Sequence, residues 1–209
     1  MTYTSENFVL HYVRATSLSA HQMNALDTQK DFNGAMAISV ECDDCIYTSE
    51  MDQQYHIKYY DYQYNKPRMM SDATVCYVND FVSIDIISDT DFNDIPAGQS
   101  LASTVKIVAV SPYRWLVNGE TNEELWKTIS KDWLLWQKPK YDYFIKPEYF
   151  PVNSFLYNLN PEDLKLLHSE IAFVFTSIPN NNKKHNLKII FHEANSAITA
   201  ECAVDFNSI

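Results

Sequence analysis

Glycine is nearly missing from this chain, with three in 209 residues. Loops that press bare backbone against a phosphate need several, so a phosphate-cradling loop and a dinucleotide fingerprint are both excluded. Left-handed turns must instead fall to Asn and Asp. No Gly-x-Ser-x-Gly nucleophile elbow occurs either. Basic residues are few: sixteen Lys and Arg against twenty-seven Asp and Glu give a formal charge of −11 and a pI near 4.8. Such a surface repels nucleic acids and anionic membranes, and the one adjacent basic pair, Lys183-Lys184, lies in an Asn-rich turn. No nucleic-acid partner is expected. No apolar run reaches the 18 or so residues a membrane-spanning helix needs, so no transmembrane segment is expected. Four cysteines are too sparse for a disulfide scaffold.

What is present is an ordinary globular mixture, 46% hydrophobic and 21% charged, at a length that suits one all-β domain spanning residues 1–209. Period-two alternation dominates, and it places successive side chains on opposite faces of a strand. It runs through Phe8–Arg14, Ala35–Val40, Val82–Ser88 and Thr104–Val110, with Val82, Ile84 and Ile86 set to face inward. Ile171–Ile178, Leu187–His192 and Ala197–Phe206 read as consecutive antiparallel strands of one meander. Seven to nine strands are enough for two packed sheets. The expected fold is therefore mostly β: an antiparallel two-sheet, immunoglobulin-like sandwich.

Two helices interrupt the alternation. Thr121-Asn122-Glu123-Glu124 forms a capping box, and Leu125, Ile129, Trp133 and Trp136 then share one face, predicting a helix over 121–136 that Pro139 ends. Its spacing makes Trp126, Trp133 and Trp136 core residues before pocket residues. Asn160 as N-cap, Pro161 at the first helical position and the acids Glu162 and Asp163 predict a short helix over 161–168. Residues 137–159 carry three prolines and no clear period, the pattern of a long packed loop.

Motif chemistry is thin. Cys42-Asp43-Asp44-Cys45 has knuckle spacing, but two acids at its centre disfavour a thiolate, and Cys76 and Cys202 stand alone rather than as a second ligand pair. A structural disulfide or inert thiols remain. Asp89, Asp91 and Asn93 occupy calcium-loop positions 1, 3 and 5. Asp94 stands where such a loop needs Gly, and Ser100 where it needs a bidentate Glu, which excludes an EF-hand and favours an Asx-turn. His192-Glu193 would need a second His at position 196, where Ser stands. No catalytic residue, no metal and no cofactor is therefore assigned, and enzymatic action is not expected. A rival reading keeps a carbohydrate-active hydrolase whose acids converge only in the fold.

The strongest surface candidate is the aromatic run Tyr55–Tyr64, read as part of a strand or hairpin arm over Gln53–Asn65. In that reading Tyr55, Ile57 and Tyr59 share one face, while Tyr60, Tyr62 and Tyr64 share the other. Rings two residues apart on a strand stand about 7 Å from one another. Such a row can stack on the apolar faces of sugar rings, so Tyr60, Tyr62 and Tyr64 are candidate ligand-binding residues for a glycan. Covering a sheet face is the plainer use of the same rings.

The segment Val82–Leu101, with its Ile-x-Ile-x-Ser strand, Asp-Phe-Asn turn and Ala-Gly-x-x-Leu element, resembles a family of uncharacterised lipoproteins of Bacteroidetes. Cys76 and the Leu187–Phe206 hairpin are compatible with that likeness. The resemblance implies export, a lipid anchor on a cysteine outside this chain, an immunoglobulin-like sandwich and no assigned activity. No functional residue carries over. The N-terminus, Met1–Asn7, has neither the basic start nor the apolar run of a secretory signal. Either an export segment precedes it in the precursor or the protein is a cytosolic β-rich protein. The expectation is a non-enzymatic binding or structural module at a bacterial cell surface or in the periplasm, with a glycan or another surface protein as partner.

Overall fold

The computed structural model describes residues 2–69, 74–123 and 148–208, and among them the chain is mostly β. Strands β1 (Thr2–Ser5) and β4 (Lys66–Met69) pair as a short ribbon. Six strands form the larger sheet: β2 (His11–Gln22), β3 (Ala37–Ile46), β5 (Val75–Tyr77), β7 (Val105–Ser111), β8 (Phe150–Phe155) and β9 (Ile171–Phe175). Their order is β5-β2-β3-β9-β7-β8, antiparallel except for β2 beside β5. The smaller sheet, β11-β10-β6, holds β6 (Phe81–Ser88), β10 (Lys184–Glu193) and β11 (Ala197–Asp205).

The main core lies between the two sheets. Ile38, Val40, Ile107 and Phe173 of the larger one meet Ile84, Ile86, Leu187, Ile189 and Phe191 of the smaller. Phe173 and Phe191 touch edge to face with centroids 6.0 Å apart. The sandwich is joined at one corner, where the Asp205 N–H of β11 donates to Gln22 Oε1 of β2 at 2.8 Å.

The larger sheet is covered on its other face as well, which explains why β7 and β9 are nearly continuous apolar runs rather than alternating ones. Ala37, Val108, Ala172 and Val174 pack there with Phe32, just beyond helix α1 (Ala25–Asp31). Toward the β5 end, Phe8, Tyr12, Cys76, Val110 and Tyr149 build a separate aromatic layer. Helices α2 (Ser49–Lys58) and α3 (Tyr113–Asn118) contribute to this layer through Tyr55, Tyr59, Tyr113 and Trp115.

Several expectations need correction. The strand set at Phe8–Arg14 begins only at His11 and runs to Gln22, because Phe8 and Val9 give their amides to a carboxylate instead of a ladder. Val82 is exposed: the β6–β10 register slips between His192 and Glu193, and the extra residue turns it outward while Phe81 goes in. Strand β9 does not continue into the meander but sits in the larger sheet between β3 and β7. Part of the Pro-rich 137–159 stretch is strand β8, with Pro151 on the edge strand of the sheet, a place where a missing N–H costs little. The short helix is a 3-10 turn over Pro161–Leu164, capped by Asn160 as expected; Lys165 is already extended. The helix expected over 121–136, with Trp126, Trp133 and Trp136, lies outside the described residues from position 124 onward.

Candidate functional site

The Gln53–Asn65 stretch is not a strand. It contains most of α2 and a 3-10 turn, Asp61–Gln63. Local chemistry decides this against the tyrosine alternation. The Thr48 hydroxyl caps the helix by accepting from the Met51 N–H at 3.1 Å. Glu50 and Asp52 stand in the first turn, and His56 and Lys58 in the last, each matched to the helix dipole. Tyr55 and Tyr59 are thus four residues apart on one helical face, stacked with centroids at 6.1 Å.

A buried polar network fixes this helix to β2. Asp61, whose side chain is fully buried, accepts from the Phe8 N–H at 2.7 Å, the Val9 N–H at 2.9 Å and the Tyr12 hydroxyl at 3.0 Å. Asp52 accepts from the Tyr12 N–H at 2.7 Å and the Tyr47 hydroxyl at 3.3 Å. The His56 ring lies between the two carboxylates, Nε2 3.5 Å from Asp52 and Nδ1 3.3 Å from Asp61. Burial, reinforced by the Asp61 charge, lifts the Tyr12 phenol far above the usual tyrosine range. Both carboxylates are spent on main-chain amides, so this network is a clamp rather than an acid–base pair open to substrate.

Above the clamp opens a cleft of about 610 Å³. Helix α2 and its end supply Tyr55, Lys58, Tyr59 and Tyr60; the turn between β5 and β6 supplies Asn79 and Asp80. Helix α3 brings Tyr113, Leu116 and Val117, and Lys165 and Leu166 close the far side. The Lys58 ammonium lies 5.3 Å over the Tyr55 ring and 5.2 Å over Tyr59, and Lys165 lies 5.2 Å over Tyr113. Burial and the neighbouring phenols Tyr55 and Tyr113 push Tyr59 up to about 12, with Lys165 opposing, so its hydroxyl remains a donor at neutral pH. Asn79 is rigid: it exchanges two hydrogen bonds with the Ala15 backbone and donates to Glu193. Arg14, also in the lining, is held by both oxygens of Glu193, at 3.2 and 3.4 Å.

Two lining residues adopt a conformation bulky side chains avoid. Tyr60 has φ +53° and Leu166 φ +50°. Left-handed backbone in such residues costs about 1–3 kcal/mol each and persists only where the surroundings impose it. Strain of this kind concentrates at binding sites.

The candidate tyrosines separate. Tyr60 lines the cleft and is 68% exposed, and the Tyr62 ring stands 6.2 Å from its ring, exposed but outside the lining. Tyr64 turns into the aromatic layer, 5.1 Å from Phe8 and 6.0 Å from Trp115. The expected single row of three rings does not form, because the helix end and the 3-10 turn redirect them. Lys165 and Tyr113 come from distant segments, and no sequence pattern unites them with α2.

Elsewhere, Cys42 and Cys45 form a disulfide across an irregularity in the β2–β3 pairing, and Cys76 and Cys202 are buried. The acidic loop is used structurally. Asp89 accepts from the Asn186 N–H and side-chain amide, which holds its carboxyl below the usual range, and Asp91 accepts from the Ala97 N–H. Among the described residues no three His, Cys, Asp or Glu side chains gather as a metal site, and no helix is long and apolar enough to cross a membrane. His192 pairs with Asp85 at 3.2 Å. Compared with protein-family models, curated proteins and solved structures, the chain gives no match in any of the three.

Proposed function

We propose that the protein is a non-enzymatic binding module whose tyrosine-walled cleft takes a saccharide. The observation that carries this reading is a cleft of about 610 Å³, inside the range of small-molecule sites (about 300–1,000 Å³). Its walls present phenol faces for the C–H side of a sugar ring, beside lysines and Asp80 for its hydroxyls. Binding is favoured over glycoside hydrolysis because Asp80 is the lone carboxylate lining this cleft among the described residues, whereas hydrolysis needs a facing pair. Export is supported by the Cys42–Cys45 bridge, since disulfides persist in oxidising compartments. A lipid anchor, a cell-surface position and an immunoglobulin-like relationship rest on the Val82–Leu101 resemblance alone.

A glycan array probed with the purified protein is the direct test. A positive glycan should lose binding with Tyr60→Ala and with Tyr113→Ala, and keep it with Tyr62→Ala. Equal loss in all three, or an array without signal, would remove the cleft from consideration.

A further inference from the structure

We infer that the saccharide taken by this cleft carries a single carboxylate: an acidic sugar ring on an otherwise neutral oligosaccharide, its acid received by Lys58 and Lys165. The inference deepens the saccharide reading above and rests on it. Its basis is a local inversion of charge. Acids outnumber bases twenty-seven to sixteen in the whole chain, yet the cleft lining holds Arg14, Lys58 and Lys165 against Asp80 alone among the described residues. Arg14 is already engaged by Glu193. Lys58 and Lys165 have no carboxylate within ion-pair distance among the described residues; each ammonium instead lies over a phenol face. An ammonium carries three N–H donors and a ring face takes up only part of them, so both lysines retain donors for an incoming anion.

The kind of anion follows from what else is present. A phosphate dianion favours a nest of amides or an arginine fork, and the cleft's arginine is committed while Asp80 repels a second charge. A densely charged polymer meets a molecule with net charge −11, which repels it at long range. One carboxylate on a ring escapes both penalties. Its ring stacks on Tyr60 or Tyr113, its acid reaches the lysines, and Asp80 accepts from its hydroxyls.

The test is calorimetric titration of the whole protein with three probes. These are an aldobiouronic acid, the same disaccharide with its carboxyl reduced to the alcohol, and a heparin hexasaccharide. The acid should bind about tenfold tighter than its reduced twin, and the difference should shrink as salt rises. In the Lys58→Gln, Lys165→Gln double variant the acid should lose its advantage and bind no more tightly than the reduced sugar binds the same variant. Equal affinity for acid and reduced sugar overturns the charge preference and leaves the saccharide reading standing. No binding of either disaccharide overturns both, and tighter binding of the heparin fragment overturns the single-acid ligand. Because both lysines sit at the cleft surface, the double variant should stay folded, with a Tm lowered by no more than a few degrees for the lost ring and dipole contacts; Lys58→Arg, which keeps the charge, should retain much of the acid preference.

Discussion

Asp61 illustrates how much can hang on one side chain. It answers two consecutive main-chain amides and a buried phenol, and it lies beside His56. Asp61→Ala leaves those three donors buried without an acceptor, and the expected cost is about 3–5 kcal/mol, read as a lowered urea midpoint at unchanged slope. A loss under about 1 kcal/mol would mean that water reaches the site and that the clamp does not hold α2. Tyr60 makes the opposite case. The residue is 68% exposed and its backbone left-handed, so it contributes little packing and stores strain. Asn tolerates that conformation, and Tyr60→Asn should hold or raise stability by up to about 1 kcal/mol while ligand binding is lost. A fall in Tm for this variant would show that the tyrosine is retained for the fold, and the strain argument for the cleft would go.

At the scale of elements, α2 matters because it carries the Tyr55 and Tyr59 wall and Lys58. The helix has ten residues, short enough to be marginal without its cap and its tertiary clamp. Thr48→Ala should therefore cost about 0.5–2 kcal/mol, and faster amide exchange should be confined to Ser49–Asp52 and neighbouring turns. Uniform destabilisation with no local change would contradict this. The strands were largely legible: in Met36, Ile38 and Val40 the alternation and the buried face coincide, as they do along the β10–β11 hairpin. Helix α2 was not, because Tyr55–Tyr64 satisfies period two and the i, i+4 spacing of Tyr55 and Tyr59 equally well. Thr48 with Glu50 and Asp52 after it was the deciding signal. Strand β8 was hidden by Pro151, which is tolerated on an edge that the sequence does not reveal. The cleft was half legible, through Tyr60 alone. Tyr113 and Lys165 reach it by tertiary packing, and local periodicity carries no trace of that.

For the molecule as a whole, the decisive feature is a sheet covered on both faces, which buries phenols as well as hydrocarbons. Tyr12 and Tyr77 are buried, and desolvation lifts both far above the usual range, aided by the charge of Asp61 on Tyr12 and of Glu41 on Tyr77. Tyr59 is pushed up to about 12 and the Cys202 thiol up to about 11, each chiefly by burial. In the unfolded chain tyrosines ionise near pH 10 and thiols near 8.5. Above those values the unfolded state has released protons that the folded state still binds, so unfolding becomes easier as pH rises. The stabilisation is complete below about pH 8.5; the Cys202 share goes first, and the Tyr59 share is lost between about 10 and 12. Tyr12 and Tyr77 together should steepen the decline above pH 10 by up to about 3 kcal/mol per pH unit. Urea midpoints should be flat from neutral pH to about 8, then fall sharply above 10, with the phenolate absorbance of these tyrosines appearing only as the chain unfolds. Tyr77→Phe should flatten the alkaline slope, because its ring still fills the core while the ionisable hydroxyl, which donates to the Ser169 carbonyl, is gone. A midpoint that holds steady to pH 11, or phenolate absorbance from all fourteen tyrosines in the folded protein, would show that the outer aromatic layer admits water and is not a second core.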